Sequence, residues 1–374
     1  MTRPRQFTPR LTAQGARGDI GPMRLIDEHS AEAYLRETGR VAPNESVRVT
    51  ELAGGVSNMV LLVEPLERPG GEFVLKQSRE QLRTRQPWFS SLERIWREAD
   101  VLAICTRLLE STLLARSNHI PPACTPRICF EDRDNYLFAM TAAPRPNSVW
   151  KSQLLAGQVD PRIAQACGRL LGTLHAGSWL DEDIGRQIGD RTLFDELRVD
   201  PYYRTLAKAH PGYRTHIEEL IDSLSRHLRS LVHADFSPKN LLVFDGGLMM
   251  VDFETGHYGD PAFDLGFFLS HLVLKSCEKI PQHALYLSLS EWFWQSYSEV
   301  LAAKIPEQEL SDLWARGVQH FAGCAWARLD GKSPVDYLTA PERREQMRTL
   351  CQEVFDSGVR EWPEVVALAM HRFR

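Results

Sequence analysis

HADFSPKNLLVFDGGLMMVDFETGHYGDPAFDLG, residues 233–266, carries the stretch that decides the fold of this 374-residue chain. Two apolar runs within it, LLVF at 241–244 and LMMV at 248–251, are strand-like and flank Asp245-Gly246-Gly247, a hairpin turn signal. Pairing Phe244 with Leu248 puts Val243 opposite Met249, Leu242 opposite Met250 and Leu241 opposite Val251. One step further, Asn240 faces Asp252. Paired residues of antiparallel strands lie roughly 5 Å apart at their α-carbons, so an amide oxygen and a carboxylate converge at the open end of the hairpin. A one-residue shift in the turn keeps both groups at that end. Asp235 lies in the loop that enters the hairpin.

Such a trio suits a metal-bound phosphate. Mg2+ takes oxygen ligands and is commonly held by one or two carboxylates plus substrate phosphates, a task for Asn240 and Asp252. Asp235 has no such partner and can meet an incoming hydroxyl. The H-x-D-x-x-x-x-N spacing of His233, Asp235 and Asn240 is that of the protein-kinase catalytic loop, where the Asp is the base and the Asn a metal ligand. A surface turn rich in Asp and Asn is the bland alternative. The apolar hairpin, the second Asp and the following GDPAFDLG weigh against it.

HADFSPKN followed by VDFE and GDPAFDLG resembles the aminoglycoside phosphotransferase and choline kinase family, a small-molecule branch of the protein-kinase-like fold, from about Val47 onward. The resemblance implies an α+β bilobal fold, with an N-lobe of antiparallel sheet plus helix and a mainly helical C-lobe holding the catalytic β-hairpin. It implies ATP or GTP as phosphoryl donor, Mg2+ as cofactor, and as acceptor a small molecule with a hydroxyl, such as an amino sugar, a sugar or an amino alcohol. Two positions depart from the pattern. Ala234 stands where most relatives have Gly, and activity is expected to survive unless that position needs a positive φ. Glu254 stands where protein kinases have the Gly of D-F-G. An acidic residue there is usual among these small-molecule kinases and could hold metal-bound water.

Three segments are expected: a flexible tail at 1–22, a nucleotide-binding N-lobe at 23–143, and a C-lobe with catalytic loop and acceptor site at 144–374. A helix over Ala31–Thr38 is capped by Ser30 and ended by Gly39. VRVTEL at 47–52, MVLLVEP at 59–65, EFVLK at 72–76, and the pair RICFED and NYLFAMTA predict a five-stranded antiparallel sheet. Gly54, Gly55 and Ser57 sit in the first turn, where backbone N–H groups and a hydroxyl can meet phosphate oxygens. On its own Gly-Gly is an ordinary hairpin turn, but GGVSN resembles the family's nucleotide loop. Lys76 then falls where this fold places the lysine that contacts the α- and β-phosphates and pairs with a Glu of the next helix. That helix spans 91–110. Glu98, beside Ile95 and Leu102 on the apolar face, is the favoured partner; Glu93 reads as an exposed charge. The lobes connect at Met140–Pro146, where the backbone of Met140 and Thr141 is placed on the adenine edge.

In the C-lobe, helices are expected at 161–179, 212–229, 262–275, 287–303, 310–329 and 341–356. His175 is a pocket or core residue without an assigned role. His233 braces the loop by donating a hydrogen bond to a carbonyl or carboxylate, that of Asp252 being a candidate. Lys239 is a phosphoryl-stabilising cation or a solvated lysine. Asp264 and Asp260 read as structural. The acceptor is open: Trp292, Trp294, Trp314 and Trp326 could form an aromatic cage for choline or be core. Arg328, Asp330 and Lys332 in WARLDGKSPVDYL, 326–338, could reach an anionic or polyol substrate or pin a loop.

With 44 basic and 49 acidic residues the formal net charge is −5, and no basic run suggests nucleic acid. Seven cysteines lack metal spacing and read as reduced thiols of a cytoplasmic protein. No apolar stretch approaches the ~20 residues of a membrane span, and the basic N-terminus lacks an apolar core. The rivals are a non-catalytic nucleotide-binding regulator of kinase fold, which usually loses the Lys, Asp or metal ligands, and a protein kinase. Against the latter, G-x-G-x-x-G and A-P-E are missing and GDPAFDLG follows VDFE closely. The oligomeric state is left open.

Overall fold

The computed structural model describes residues 23–52, 58–80, 91–111 and 120–374. The tail at 1–22, and with it Gly54, Gly55 and Ser57, lie outside the described residues.

The N-lobe begins with helix α1 (Ala31–Glu37) and strands β1 (Val47–Glu51), β2 (Asn58–Pro65) and β3 (Phe73–Ser78). Helix α2 (Arg94–Ser111), the short strand β4 (Ala123–Cys124), and strands β5 (Ile128–Asp132) and β6 (Leu137–Thr141) follow. The expected five-stranded sheet forms in the order β1-β2-β3-β6-β5, antiparallel throughout. Its side chains alternate as the pleat requires. Leu61, Val63, Phe73 and Leu75 pack with Tyr34 and Leu35 of α1 on one face. Leu62 and Val74 face the other way, into the core shared with Ile95 and Leu102 of α2. Lys76 is two residues beyond Val74 and so points toward α2 as well. At α1, Ser30 stands at the N-cap but makes no capping bond; its hydroxyl binds Asp27 Oδ1 at 2.6 Å instead. Helix α2 starts three residues later than expected, because residues 91–93 form a turn in which Trp96 N donates to Glu93 O at 3.0 Å.

The C-lobe opens with β7 (Asn147–Val149), α3 (Trp150–Leu155), α4 (Pro161–Gly177) and α5 (Glu182–Ile188). A short helix α6 (Thr192–Phe194) runs into a π-helical segment (Asp195–Arg204) and α7 (Thr205–Ala209), followed by α8 (Arg214–Arg226). Strand β8 (Ser230–Val232), the hairpin β9 (Leu241–Phe244) and β10 (Gly247–Met250), and β11 (His257–Gly259) carry the decisive stretch. Helices α9 (Ala262–Glu278), α10 (His283–Ala302), α11 (Glu307–Asp330), α12 (Pro341–Ser357) and α13 (Trp362–Arg372) complete the lobe.

Two pairings set up the site. The hairpin is flanked by β4 and β7 in a four-stranded sheet, and β8 pairs antiparallel with β11. The loops 233–240 and 251–256 therefore leave the two strand pairs side by side. Helix α9 is buried from Ala262 to Cys277, a helix enclosed on all sides. Glycine makes this possible at Gly266, where an added Cβ would lie 2.4 Å from the Phe321 nitrogen of α11.

Candidate active site

The hairpin register differs by one residue from the expected one. Gly247 pairs with Phe244, Leu248 with Val243, Met249 with Leu242 and Met250 with Leu241. The turn is Asp245-Gly246 alone, with Gly246 at φ 79°, a conformation glycine adopts without steric cost. Asn240 thus faces Val251, whose amide donates to Asn240 O at 3.0 Å. Asp252 turns out of the ladder at φ 71°. Both groups remain at the open end, as the one-residue shift allows.

The catalytic loop is gripped from below. Asp264, fully buried near the start of α9, accepts from the amides of His233 at 2.6 Å and Ala234 at 2.7 Å. This is the structural role expected of it. The Ala234 carbonyl accepts from Arg198 Nε at 2.7 Å. Between these anchors Ala234 sits at φ 61°. The position does need a positive φ, and an alanine there carries roughly 1–2 kcal/mol of left-handed strain that the surrounding bonds hold in place.

Asp235 is surrounded by donors. Arg198 Nη2 lies 2.7 Å from Oδ1, Lys239 Nζ 2.7 Å from Oδ2, and Asn240 Nδ2 2.8 Å from Oδ2. Burial works against its charge, but Arg198 and then Lys239 outweigh it and hold the carboxyl well below the usual range. Lys239 is therefore paired with Asp235 here rather than free in solvent. Arg198 was not legible in the sequence: it comes from the π-helical segment, remote from any motif. His233 does not donate to Asp252. Its Nδ1 accepts the Asp235 amide at 3.2 Å, and Nε2 is buried with no partner among the described residues. Burial lowers its pKa, against the opposing pull of Asp264 and Asp235.

Across the lobe interface Lys76 Nζ contacts Glu98 Oε1 at 2.6 Å and Asp252 Oδ1 at 3.0 Å. Glu98 is fully buried, whereas Glu93 is exposed. Burial opposes the lysine's charge, and Glu98 and Asp252 more than restore it, so its pKa lies above the ordinary value. Carboxylate oxygens of Glu98, Asp252 and Glu254 lie within 4.8 Å of one another. Glu98 Oε2 is buried without a hydrogen-bond partner among the described residues. The Asn240 amide nitrogen donates to Asp235 O at 3.0 Å as well as to Oδ2, so its oxygen is the end open to a cation. This oxygen-rich donor set with an orphaned carboxylate oxygen fits a hard divalent cation.

The remaining candidates divide. His175 is a core residue, bonded to the Tyr297 hydroxyl at 2.7 Å and near Asp264 Oδ2 at 3.3 Å. Asp260 is buried on Arg316 Nε at 2.9 Å. Trp326 is fully buried and its indole donates to Asp330 at 3.0 Å, and Trp294 and Trp314 pack on each other at 5.0 Å. Trp292 is exposed. Asp330 and Lys332 pin their loop, through Arg348 Nε at 2.9 Å and Asp200 at 2.6 Å respectively. Met140 is buried within β6, paired with Val74 and Ile128. The next two amides are used in the sheet, Thr141 on Arg127 O at 2.9 Å and Ala142 on Glu72 O at 3.1 Å.

Residues 48–282 match the sequence profile of APH, the phosphotransferase enzyme family. The methylthioribose kinase of Cronobacter sakazakii is 23% identical over 284 residues, 68% of this chain and 67% of that protein. The methylthioribose kinase of Escherichia coli is 25% identical over 264 residues, 62% of this chain and 58% of its own length. A choline/ethanolamine kinase family protein from Mesorhizobium loti superposes with a TM-score of 0.47 at 14% identity, covering 91% of this chain and 99% of that one. The profile takes in the lysine strand, its helix and the whole gripped loop, and the chain accordingly belongs to the phosphotransferase enzyme family.

Proposed function

We propose that the protein transfers the γ-phosphoryl group of ATP or GTP to a hydroxyl of a small molecule such as a sugar, an amino sugar or an amino alcohol. The observation that carries this reading is the pair of carboxylates with separate duties. Asp252 faces Lys76 across the lobes, while Asp235 sits on Arg198 and Lys239. Family membership and the methylthioribose kinase relatives support it.

In this mechanism Lys76, held by Glu98, lies along the nucleotide phosphates, with Met140 at the inner end of the adenine site and Gly54, Gly55 and Ser57 on the phosphate loop. Asp252 and Asn240, with Glu254 beside them, would hold Mg2+. The cation would supply charge neutralisation on the phosphoryl oxygens. Asp235 orients the acceptor hydroxyl. The hydroxyl oxygen bonds to the γ-phosphorus, the β–γ bridging P–O bond breaks with its electron pair leaving on the nucleoside diphosphate, and the proton passes to Asp235. A carboxylate held so acidic is a weak base, so it takes the proton late, and positioning dominates.

No described helix is long and apolar enough to cross a membrane. The seven free cysteines support a cytoplasmic setting. The test is nucleoside diphosphate release from Mg-ATP and Mg-GTP against amino sugars, sugars, amino alcohols and peptides. Asp235→Ala is expected to lower turnover about 10²–10⁴-fold with nucleotide affinity retained. Turnover equal to the parent's sinks the assignment, and activity confined to peptides overturns the small acceptor.

A further inference from the structure

One face of α9 leads away from Asp235. Phe267, His271 and Lys275 stand four residues apart and so share that face. The ring of Phe267 lies 5.7 Å from the Arg198 guanidinium, the same group that holds Asp235. His271 packs edge-on against Phe267 with centroids 4.9 Å apart. Lys275 Nζ follows, 5.1 Å from the centre of the Tyr337 ring, with Lys151 Nζ 5.6 Å from the same ring. Arg328 approaches from the 326–338 loop, its guanidinium 6.0 Å from the Tyr202 ring, which in turn lies 5.9 Å from Phe267.

The inner end of this lining, at His271 and Lys275, is buried, while Lys151, Arg328 and Tyr337 are half-buried. Lys275 is 1% exposed, and its one hydrogen bond among the described residues goes to the His271 carbonyl at 3.1 Å. Among the described residues Arg328 donates to Ser333 and the Tyr202 hydroxyl, and its Nε is buried without a partner. Nε2 of the buried His271 and the hydroxyl of Tyr337 have no hydrogen-bond partner among the described residues either. The nearby acid is Asp336, which is exposed and paired with Lys151 at 3.3 Å. Burial first, then Lys151 and Arg328, pull the Lys275 pKa down to about 7. A buried amine normally has a carboxylate or several acceptors; here Lys275 has neither among the described residues, Lys151 pairs with the exposed Asp336, and two neutral groups stand unpartnered beside them. By contrast, the cleft of about 900 Å³ beside Glu254 is lined by seven acidic and four basic residues, with Arg204 paired to Asp195 and Lys332 to Asp200.

We infer that the acceptor is an anion: a hydroxyl-bearing small molecule whose carboxylate or phosphate docks on Lys275, Lys151 and Arg328, with His271 Nε2 and the Tyr337 hydroxyl bonding the same ligand and its hydroxyl presented to Asp235. This rests on the phosphotransferase reading above. Eight residues of α9 separate Phe267 from Lys275, about 12 Å along the axis, which suits a ligand the size of a sugar acid or sugar phosphate. A polycationic amino sugar is disfavoured at the same place by like charge.

The test uses four acceptors on one skeleton: ribonate, ribitol 5-phosphate, ribitol and 1-amino-1-deoxyribitol. Binding is measured calorimetrically on the full chain with a non-hydrolysable Mg-nucleotide present, so that the nucleotide's own phosphates are already accommodated, and transfer is measured with Mg-ATP. One or both anions are expected to bind at least tenfold tighter than ribitol, the stronger of the two identifying the anionic group, and the amine to bind weakest. Lys275→Met is expected to abolish the preference and Lys151→Ala, at a partly exposed position, to reduce it severalfold, both with nucleotide affinity unchanged. No preference for either anion, or a preference untouched in both variants, overturns the inference. Efficient transfer to ribitol or the amine without anion preference keeps the phosphotransferase and removes the anion site. Anion-selective binding without transfer to any of the four keeps the anion site and counts against the phosphotransferase.

Discussion

Two buried lysines show how differently the lobes handle the same problem. Lys76 on β3 and Lys275 on α9 are both almost fully removed from water. Lys76 meets Glu98 and Asp252 at 2.6 and 3.0 Å. Lys275 meets one main-chain carbonyl. In the N-lobe the chain supplies the counter-charge itself, and the pair forms without a ligand. In the C-lobe no carboxylate pairs with Lys275 among the described residues, and the proposal above assigns that role to a ligand. Ala234 belongs with Lys76: its backbone strain is answered internally, by Asp264 and Arg198.

The comparison can be broken at each point. Lys76→Met leaves Glu98 buried without its partner and is expected to cost about 3–5 kcal/mol of stability, together with most of the affinity for Mg-nucleotide. Urea unfolding and nucleotide titration read both, and a fully stable variant would show that the ion pair contributes nothing. Lys275→Met instead removes a buried amine that has no carboxylate partner among the described residues. It should leave the ligand-free protein at least as stable as the parent at neutral pH.

The two lysines also differ in the sign of their pH dependence. Lys275 falls from 10.5 to about 7 on folding, so between those values the unfolded chain binds the extra proton. Stability should then rise with pH across that window, by at most about 1.4 kcal/mol per pH unit. Lys76 is raised, so its stabilisation is complete below 10.5 and is lost as the pH climbs through its folded value. Unfolding curves between pH 7 and 10 should therefore flatten in Lys275→Met; an unchanged slope refutes the assignment. The smallest effect is at Ala234. Replacement by glycine relieves the left-handed strain against some added unfolded-state entropy, a net gain of about 0.5–1 kcal/mol, with turnover preserved. A loss of stability there would mean that the positive φ carries no strain.

The N-lobe was largely legible in advance because its chemistry is periodic. Alternation along β3 fixes the side on which Lys76 emerges, and helical spacing puts Glu98 on the inner face, so the pair follows from two local patterns. The convergence of Asn240 and Asp252 was legible as well, but its register was not, since Asp245-Gly246-Gly247 admits turns of two lengths and side-chain pattern does not choose between them when both strands are apolar. Strands of two or three residues, β4 and β7, are too short to show a period. Arg198 and Lys275 were hidden for a different reason. Arg198 reaches Asp235 from a π-helical turn with no motif. Lys275 ends an apolar run in which its burial depends on α11, α12 and the 326–338 loop folding over it.

Asp264 and Lys275 stand on one helix, eleven residues apart, about 16 Å along its axis. The first fixes the loop that carries Asp235; in the proposed site the second is the far anchor for the acceptor. An enclosed helix does not stretch, so it acts as a gauge of molecular length. Acceptors too short to touch both ends would lose turnover rather than merely affinity, and a longer one would have its hydroxyl carried past Asp235. Selectivity by length would then survive changes to the surface loops and yield only to changes within α9.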